Sequence, residues 1–326
     1  MYCEEVQVSC SICASSSADS YGMRYDDRYG YAGLFDLMKC KGCGHIFLKQ
    51  DFTPEQLTDL YSNYYPRSQF NIESYQAHQE KEGFVAWLDG LKSSAFRWVP
   101  KNIRVLDIGC GFGESLGFHA GRGCDVYGVE ADENIRRVAE KFGYNVHVGL
   151  FDSDIYDLDF FDCVTMDQVM EHVTDPVDTL QGIARVLKPG GQVILTFPNA
   201  GGWGAKVFGR KWINWHTPYH LQFYSKTSMQ KLAKLAGLEI VSVKTITASA
   251  WLYFQWLHLL TYPKINQPSD FWAISACGKK TNFGFGLKLI MRFLSLMHRA
   301  KMNHLITRFF DVIGVGDSYV VVMTKR

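Results

Sequence analysis

No stretch of this 326-residue sequence is apolar for long enough to span a bilayer. Its longest aromatic-rich run, Trp251 to Leu260, falls well short of the about 18 residues that a crossing helix needs. The first residues lack the basic and apolar parts of a secretory leader. Charge of one sign is missing too: with 34 Lys and Arg against 33 Asp and Glu, no global field calls for nucleic acid, and any basic surface must be local. Nine cysteines in a chain without a leader point to thiols or metal rather than a disulfide framework. These absences lead to the expectation of a cytoplasmic protein with a small-molecule partner, no nucleic acid and no favoured membrane contact. The length suits one α/β core with two additions.

What is present centres on Val105-Leu-Asp-Ile-Gly-Cys-Gly-Phe-Gly-Glu114. Ile103 to Ile108 reads as a buried parallel strand, and Gly109, Gly111 and Gly113 let the backbone bend where a ligand approaches closer than any Cβ allows. Asp107 precedes the turn, and Glu114 stands where a dinucleotide fold has its last glycine. Two carboxylates would repel a pyrophosphate and attract a cation. A second strand, Asp125 to Val129, ends on Glu130, 17 residues past Gly113, where doubly wound folds place an acidic residue on ribose hydroxyls. The next helix is expected over Asp132 to Phe142, with Asp132 as N-cap and Gly143 as stop. Taken alone, the glycine turn also fits a tight connection with no ligand, and Glu130 a charge at a strand end. Together in one βαβ unit the two signals favour a cofactor.

Cys10-Ser-Ile-Cys13 and Cys40-Lys-Gly-Cys43 are two C-x-x-C pairs separated by 26 residues. Four thiolates suit a tetrahedral Zn²⁺ with no open position, hence a structural ion, in a segment with too little apolar material to fold unaided. The alternative is four unrelated cysteines. Cys3 and His45 are rival ligands, whereas Cys110, Cys124, Cys163 and Cys277 read as small core residues.

The form D-x-G-x-G-x-G, Asp107 to Gly113, resembles the first motif of class I S-adenosylmethionine-dependent methyltransferases. That resemblance implies an α/β fold with a doubly wound, mostly parallel seven-stranded Rossmann-like sheet and S-adenosylmethionine as cofactor. It also implies that Gly149-Leu-Phe-Asp152 holds the adenine, Leu150 and Phe151 against the ring and Asp152 at its amino group; Phe151 reads equally well as ordinary core. Met170-Glu-His172 followed by Asp175-Pro176 resembles the family's E-H-x-x-D-P segment, and Pro218-Tyr-His-Leu-Gln-Phe-Tyr-Ser225 resembles the run before its penultimate core helix. A cysteine knuckle, then a Leu60-Tyr-Ser-Asn-Tyr-Tyr65 helix, then the cofactor turn is similar to a subset of bacterial small-molecule methyltransferases, including some that modify deoxysugars.

The remaining elements follow from local signals. Thr53-Pro54-Glu55-Gln56 starts a helix, and a second is expected over about Ile72 to Phe96. Further strands are expected at Tyr144 to Val148, Phe161 to Met166, Val193 to Phe197, Leu238 to Thr245 and Ser318 to Thr324, with helices from Asp175 to Leu187 and from Ser225 to Ala236, closed by Gly237. Asp167 opens a polar loop at the carboxyl edge of the sheet and joins the cofactor candidates. Trp203 to Tyr224, a poor helix and a poor strand, is expected to be a substrate loop or a cap over the pocket. His172, His216 and His220 are candidate general bases, or else histidines bonded to backbone.

About seventy residues separate the last two strands. Phe271 to Phe310 carries seven Lys or Arg and no Asp or Glu, in an amphipathic pattern. It reads as a lid presenting Lys288, Arg292, Arg299 or Lys301 to an anionic substrate, as a packed helix with a solvated basic face, or, least favoured, as a membrane contact. The expected organisation is a zinc-binding module at 1–50, a helical linker at 51–99, a methyltransferase core at 100–247 and 314–326, and a helical insertion at 248–313. The expected activity is methyl transfer to a small molecule, a sugar or other anionic metabolite, with oxygen favoured because an alcohol must lose a proton. Methylation of carbon or nitrogen, and cofactor binding without catalysis, are the alternatives.

Overall fold

Short strands at Ala18–Arg24 (β1), Phe35–Cys40 (β2) and Ile46–Leu48 (β3) pair antiparallel beside the two cysteine turns. The computed structural model of the chain describes residues 9–49, 52–64, 71–272 and 283–326; Cys3, Cys277, Lys279 and Lys280 fall outside them. Thr53 caps Pro54–Asp59 (α1) in the expected capping box with Gln56.

The helix expected over Ile72 to Phe96 does not form. Only Gly83–Asp89 (α2) is α-helical, flanked by three-residue and four-residue turns and an extended run. Gly83 and Gly90 take φ of 88° and 72°, and both interrupt the helical path. The linker is therefore mostly irregular, and several of its side chains reach the core.

From Arg104 onward the chain alternates strand and helix: Arg104–Ile108 (β4), Glu114–Ala120 (α3), Asp125–Glu130 (β5), Ile135–Phe142 (α4), Asn145–Val148 (β6), Phe161–Asp167 (β7), Pro176–Val186 (α5) and Leu187–Pro198 (β8). Asp132 is not the N-cap of α4. That position is Asn134, and Asp132 instead accepts its backbone N–H at 2.9 Å, so the helix starts later than expected. Strand β8 is longer than expected because Leu187 already pairs with Phe161 before a bulge restores register at Cys163 and Gln192.

After β8 come Trp203–Phe208 (α6), two three-residue turns, Gln222–Phe223 (β9), Lys226–Leu235 (α7), Leu238–Thr245 (β10), Ala250–Leu260 (α8), Phe285–Arg299 (α9), Met302–Val312 (α10) and Ser318–Lys325 (β11). The large sheet runs β10-β11-β8-β7-β4-β5-β6, parallel except for β11. Residues such as Leu106, Val164 and Leu195 are fully buried on both-sided strands. The insertion is helical as expected, and no helix among the described residues is long and apolar enough to cross a membrane.

The segment from Trp203 to Tyr224 is neither a loop nor a cap. Trp212, Trp215, Tyr219 and Tyr224 are among the most deeply buried large side chains. Trp212 and Trp215 pack with Phe35, Leu37, Ile46 and Leu48 of the cysteine module, and β9 extends that module's sheet by pairing with β3. Aromatic density here marks a second hydrophobic core, built only when residues near 35–48 meet residues near 205–223. The module is thus not closed at residue 50: its sheet takes its fourth strand from beyond β8.

Candidate functional site

The sheet order reverses at β4, which has β7 on one side and β5 on the other. Ligands of open α/β sheets bind at such a switch point, outside the carboxyl ends of the strands. A cavity of about 530 Å³ opens there, lined by the end of β4 (Asp107, Gly109, Gly111), the end of β7 (Asp167, Gln168), and side chains from the linker and the start of the insertion.

Gly109 takes φ of 74°, and a Cβ on it would collide with Val169. Gly113, at φ 82°, is the residue before α3. Asp107 is buried beneath the turn, its carboxylate accepting from Thr165 Oγ1 at 2.7 Å and from Ser115 Oγ. Burial nonetheless pushes its pKa up to about 6, against the pull of those hydroxyls. Burial raises Asp167 as well; the Thr196 hydroxyl donates to it. A ligand cation would relieve both carboxylates.

Glu130 is drawn to the turn from the end of β5. Its Oε2 accepts the Gly111 N–H and its Oε1 the Asp132 N–H, each at 2.9 Å. The carboxylate thereby fixes the glycine turn, although neither Glu130 nor Gly113 is in the cavity lining. The presumed adenine group lies beyond β6 and does not line the cavity. Leu150 is 83% exposed, Phe151 packs against the core near Gly182, and Asp152 accepts the Asp154 N–H.

Among the cavity residues that were not foreseen are His78, Asp89, Ser94 and Arg97, all from the linker. His78 stacks on Phe96, ring centroids 4.6 Å apart and planes 4° from parallel, and burial lowers its pKa. Asp89 pairs with Lys301 and, at 3.2 Å, with His304 of α10. The basic insertion thus touches the cavity rim through Lys301. Arg292 and Arg299 are exposed on α9, outside the lining, as is Lys288.

His172, His216 and His220 are brought together, but outside the cavity lining. The His172 and His220 ring centroids are 4.7 Å apart, and those of His216 and His220 are 4.9 Å apart. His172 Nδ1 donates to Tyr219 O at 2.8 Å and His220 Nδ1 to Asn214 O at 2.9 Å. Burial pushes all three well down, His172 to about 4, so they stay neutral. Glu171 lies with them, 1% exposed, and burial pushes its carboxyl up to about 8.

The four cysteines converge as their spacing implied. Cys10 and Cys43 sulfurs are 3.6 Å apart, Cys13 and Cys40 sulfurs 3.5 Å, and all four lie within 4.8 Å of one another. Thiolates on a tetrahedral zinc stand about 3.8 Å apart, from bonds of about 2.3 Å. Backbone N–H groups turn back at each knuckle: Ala14 N donates to Cys10 O, Gly44 N to Cys40 O, and Gly42 N to Cys40 Sγ. His45, the rival, is engaged elsewhere, its Nε2 bonded to Gln222 Oε1 at 2.8 Å.

Comparison with known proteins bears on this geometry. Residues 77–243, about half of the chain, match the family model of a methyltransferase domain. A ubiquinone biosynthesis O-methyltransferase of Thiobacillus denitrificans is 31% identical over 169 residues, which are 46% of this chain and 73% of that protein. Another, from Cupriavidus pinatubonensis, is 27% identical over 190 residues, 54% of this chain and 74% of that protein. Among solved structures, phosphoethanolamine N-methyltransferase 2 of Haemonchus contortus, in complex with S-adenosyl-L-methionine, is 20% identical, with a TM-score of 0.46 over 73% of this chain and 52% of that one.

Proposed function

Since the chain belongs to the methyltransferase-domain family and is an S-adenosylmethionine-dependent methyltransferase, we propose that it methylates an oxygen of a small hydroxylated molecule at the β4–β7 edge. The carrying observation is the cavity at the switch point, which gathers Asp107, Gly109, Gly111 and Asp167 around one opening. Relatives named for O-methylation support oxygen as acceptor atom.

In this proposal Gly109, Gly111 and Gly113 admit the cofactor's amino-acid part, Asp107 and Asp167 face its positive charge, and Glu130 meets the ribose. Leu150, Phe151 and Asp152 hold the adenine. The cofactor supplies an electrophilic methyl group on sulfur; the chain aligns an acceptor oxygen in line with it and keeps water away. We assign proton removal to His78 rather than to His172, His216 or His220, because His78 is the histidine that lines the cavity and its lowered pKa leaves it neutral and able to accept.

The acceptor is expected to be small and partly anionic, in contact with Lys301 at the rim. The alignments with the relatives span about half of this chain, and the cysteine module and the insertion extend beyond the matched domain. Those two additions are therefore the natural source of an acceptor preference of its own. Zinc at Cys10, Cys13, Cys40 and Cys43, remote from methyl transfer, belongs to the same proposal, as do a cytoplasmic setting and the absence of a nucleic-acid partner. The donor set is four thiols at zinc spacing, so the ion would hold the two knuckles together and supply no chemistry to the acceptor.

Thermal-shift assays with S-adenosylhomocysteine and with NAD test the cofactor assignment. A ligand at 100 times its dissociation constant stabilises by about 2.7 kcal/mol, expected for the first ligand alone. Stabilisation by NAD alone would end the proposal.

A further inference from the structure

The geometry points to a second metal site, formed by Glu171, His172 and His220, that takes one divalent transition-metal ion of the zinc class. One ligand atom of each residue lies within 4.8 Å of the other two. Glu171 and His172 sit on the turn Met170–His172 that follows β7, and His220 precedes β9. Bonds of about 2.0–2.2 Å to zinc would bring the three atoms to roughly 3–3.5 Å apart, a contraction within the reach of side-chain rotation.

Three features distinguish this trio from a chance cluster. First, each imidazole is aimed. A carbonyl oxygen accepts only, so the Tyr219 O and Asn214 O bonds fix the proton on Nδ1 of His172 and His220 and leave Nε2 with its lone pair free to ligate. Metal-binding histidines are oriented in this way, the ring N–H opposite the metal donating to a carbonyl or carboxylate.

Second, both Glu171 oxygens are buried and accept no hydrogen bond from another described residue. Leaving a carboxyl so placed is expensive unless a cation or a proton neutralises it. Arg28, whose charge reaches His172 and His220, is not a partner of Glu171: its guanidinium donates to Ile213 O and stacks over Trp272 at 4.5 Å.

Third, the ligand-bearing turns are locked in place. Leu221 N donates to Glu171 O at 2.7 Å, Tyr224 Oη to Met170 O at 3.0 Å, and Gln222 Nε2 to Val173 O at 3.2 Å. Preorganised second-sphere contacts are what a metal centre needs from its surroundings.

Carboxylate and imidazole donors suit zinc, with manganese and cobalt as substitutes, and three protein ligands leave a position for water. The ion would cross-link the turn after β7 to the segment that completes the cysteine module's sheet. Asp167 and Gln168, just before that turn, line the cavity, so the ion acts by positioning that rim. Its existence does not depend on the identity of the acceptor.

Metal analysis of the full-length protein, saturated with zinc and then desalted, tests the site. Wild type is expected to hold about two ions per chain, the Cys40→Ser/Cys43→Ser variant one, and Glu171→Gln and His220→Gln one each. Glu171→Gln keeps the side-chain shape, so it also serves where His220→Gln misfolds; circular dichroism checks both. Cobalt substitution provides an independent signature, since thiolate sites give intense charge-transfer bands and a His/His/Glu site only weak visible ones. The weak bands should vanish in Glu171→Gln while the intense ones persist. If folded Glu171→Gln and His220→Gln hold as much zinc and show the same cobalt spectrum as wild type, the site does not exist. In that case Glu171 is a buried protonated acid, and Glu171→Gln should match or exceed wild type in thermal stability with and without chelator.

Discussion

The cofactor edge of the large sheet and the seam beneath the cysteine module are both buried, polar and rich in titratable groups, yet they are assembled in opposite ways. At the edge, most contacts of the glycine turn come from nearby sequence, with Thr165 the distant exception. Gly109 and Gly113 take positive φ within one turn, Glu130 bonds Gly111 nineteen residues away, and Asp107 is held by Ser115 and Thr165. At the seam, Ser11 and His45 both bond Gln222, and Phe35 packs with Trp215. Local assembly leaves a signature in the sequence; long-range assembly leaves only composition.

The largest effect should come from the seam. Cys40→Ser/Cys43→Ser should lower bound zinc by about one ion per chain and the thermal midpoint by roughly 10 °C or more, since structural zinc contributes directly to folding. Full zinc content in this double variant would mean that the ligands are misassigned. An unchanged midpoint would mean that the seam stands without its ion.

At the edge, His78→Ala should lower kcat by about 10²-fold or more, the usual contribution of a positioned base, with S-adenosylhomocysteine affinity within about twofold. Equal losses in both would make His78 a cofactor contact instead. Gly109→Ala should weaken cofactor binding by roughly tenfold to a hundredfold, because its Cβ meets Val169 and its φ becomes strained. Calorimetric titration checks both variants.

Asp107 separates fold from function through pH. Its folded, ligand-free pKa of about 6 exceeds the unfolded value near 3.9. The empty fold therefore binds this proton more tightly than the unfolded chain does. The group favours stability below about pH 4, and that contribution is lost as pH rises through about 6. Cofactor binding runs the other way, because a sulfonium and an ammonium favour the carboxylate. The dissociation constant for S-adenosylmethionine should rise up to about tenfold per unit as pH falls below about 6. Asp107→Asn should flatten that dependence, and a wild-type affinity that does not change between pH 5 and 7.5 would exclude Asp107 from it.

The smallest effect is expected at the rim. Lys301→Ala should raise KM for the acceptor about threefold, the scale of a partly exposed ion pair. Arg292→Ala and Arg299→Ala, on the exposed side of α9, should change it less than about twofold. Larger effects from the arginines would restore the clamp that the charge pattern first suggested.

These contrasts explain what could be read from the sequence alone. The parallel core, the capping of α1 and α5, the stops at Gly143 and Gly237 and the cysteine quartet were legible, because short-range residues dictate each turn. The course of residues 72–96 was not: apolar spacing suggests a helix, while Gly83 and Gly90 break it and send His78, Asp89 and Arg97 to the cavity. Nor was the burial of Trp212 to Tyr224, since their partners lie some 170 residues earlier and no local pattern distinguishes an aromatic cap from an aromatic core.

Strand β9 has a consequence for the order of events during synthesis. The cysteine hairpin is made well before β9, and its sheet lacks an edge until Phe223 has emerged to pair with Ile46. At about 5–20 residues per second, that interval lasts roughly ten to thirty-five seconds. Throughout it, Phe35, Leu37 and Ile46 have no Trp215 to cover them, and the proposed zinc ion, bound early, would be a staple that keeps the hairpin from pairing with a neighbouring nascent chain.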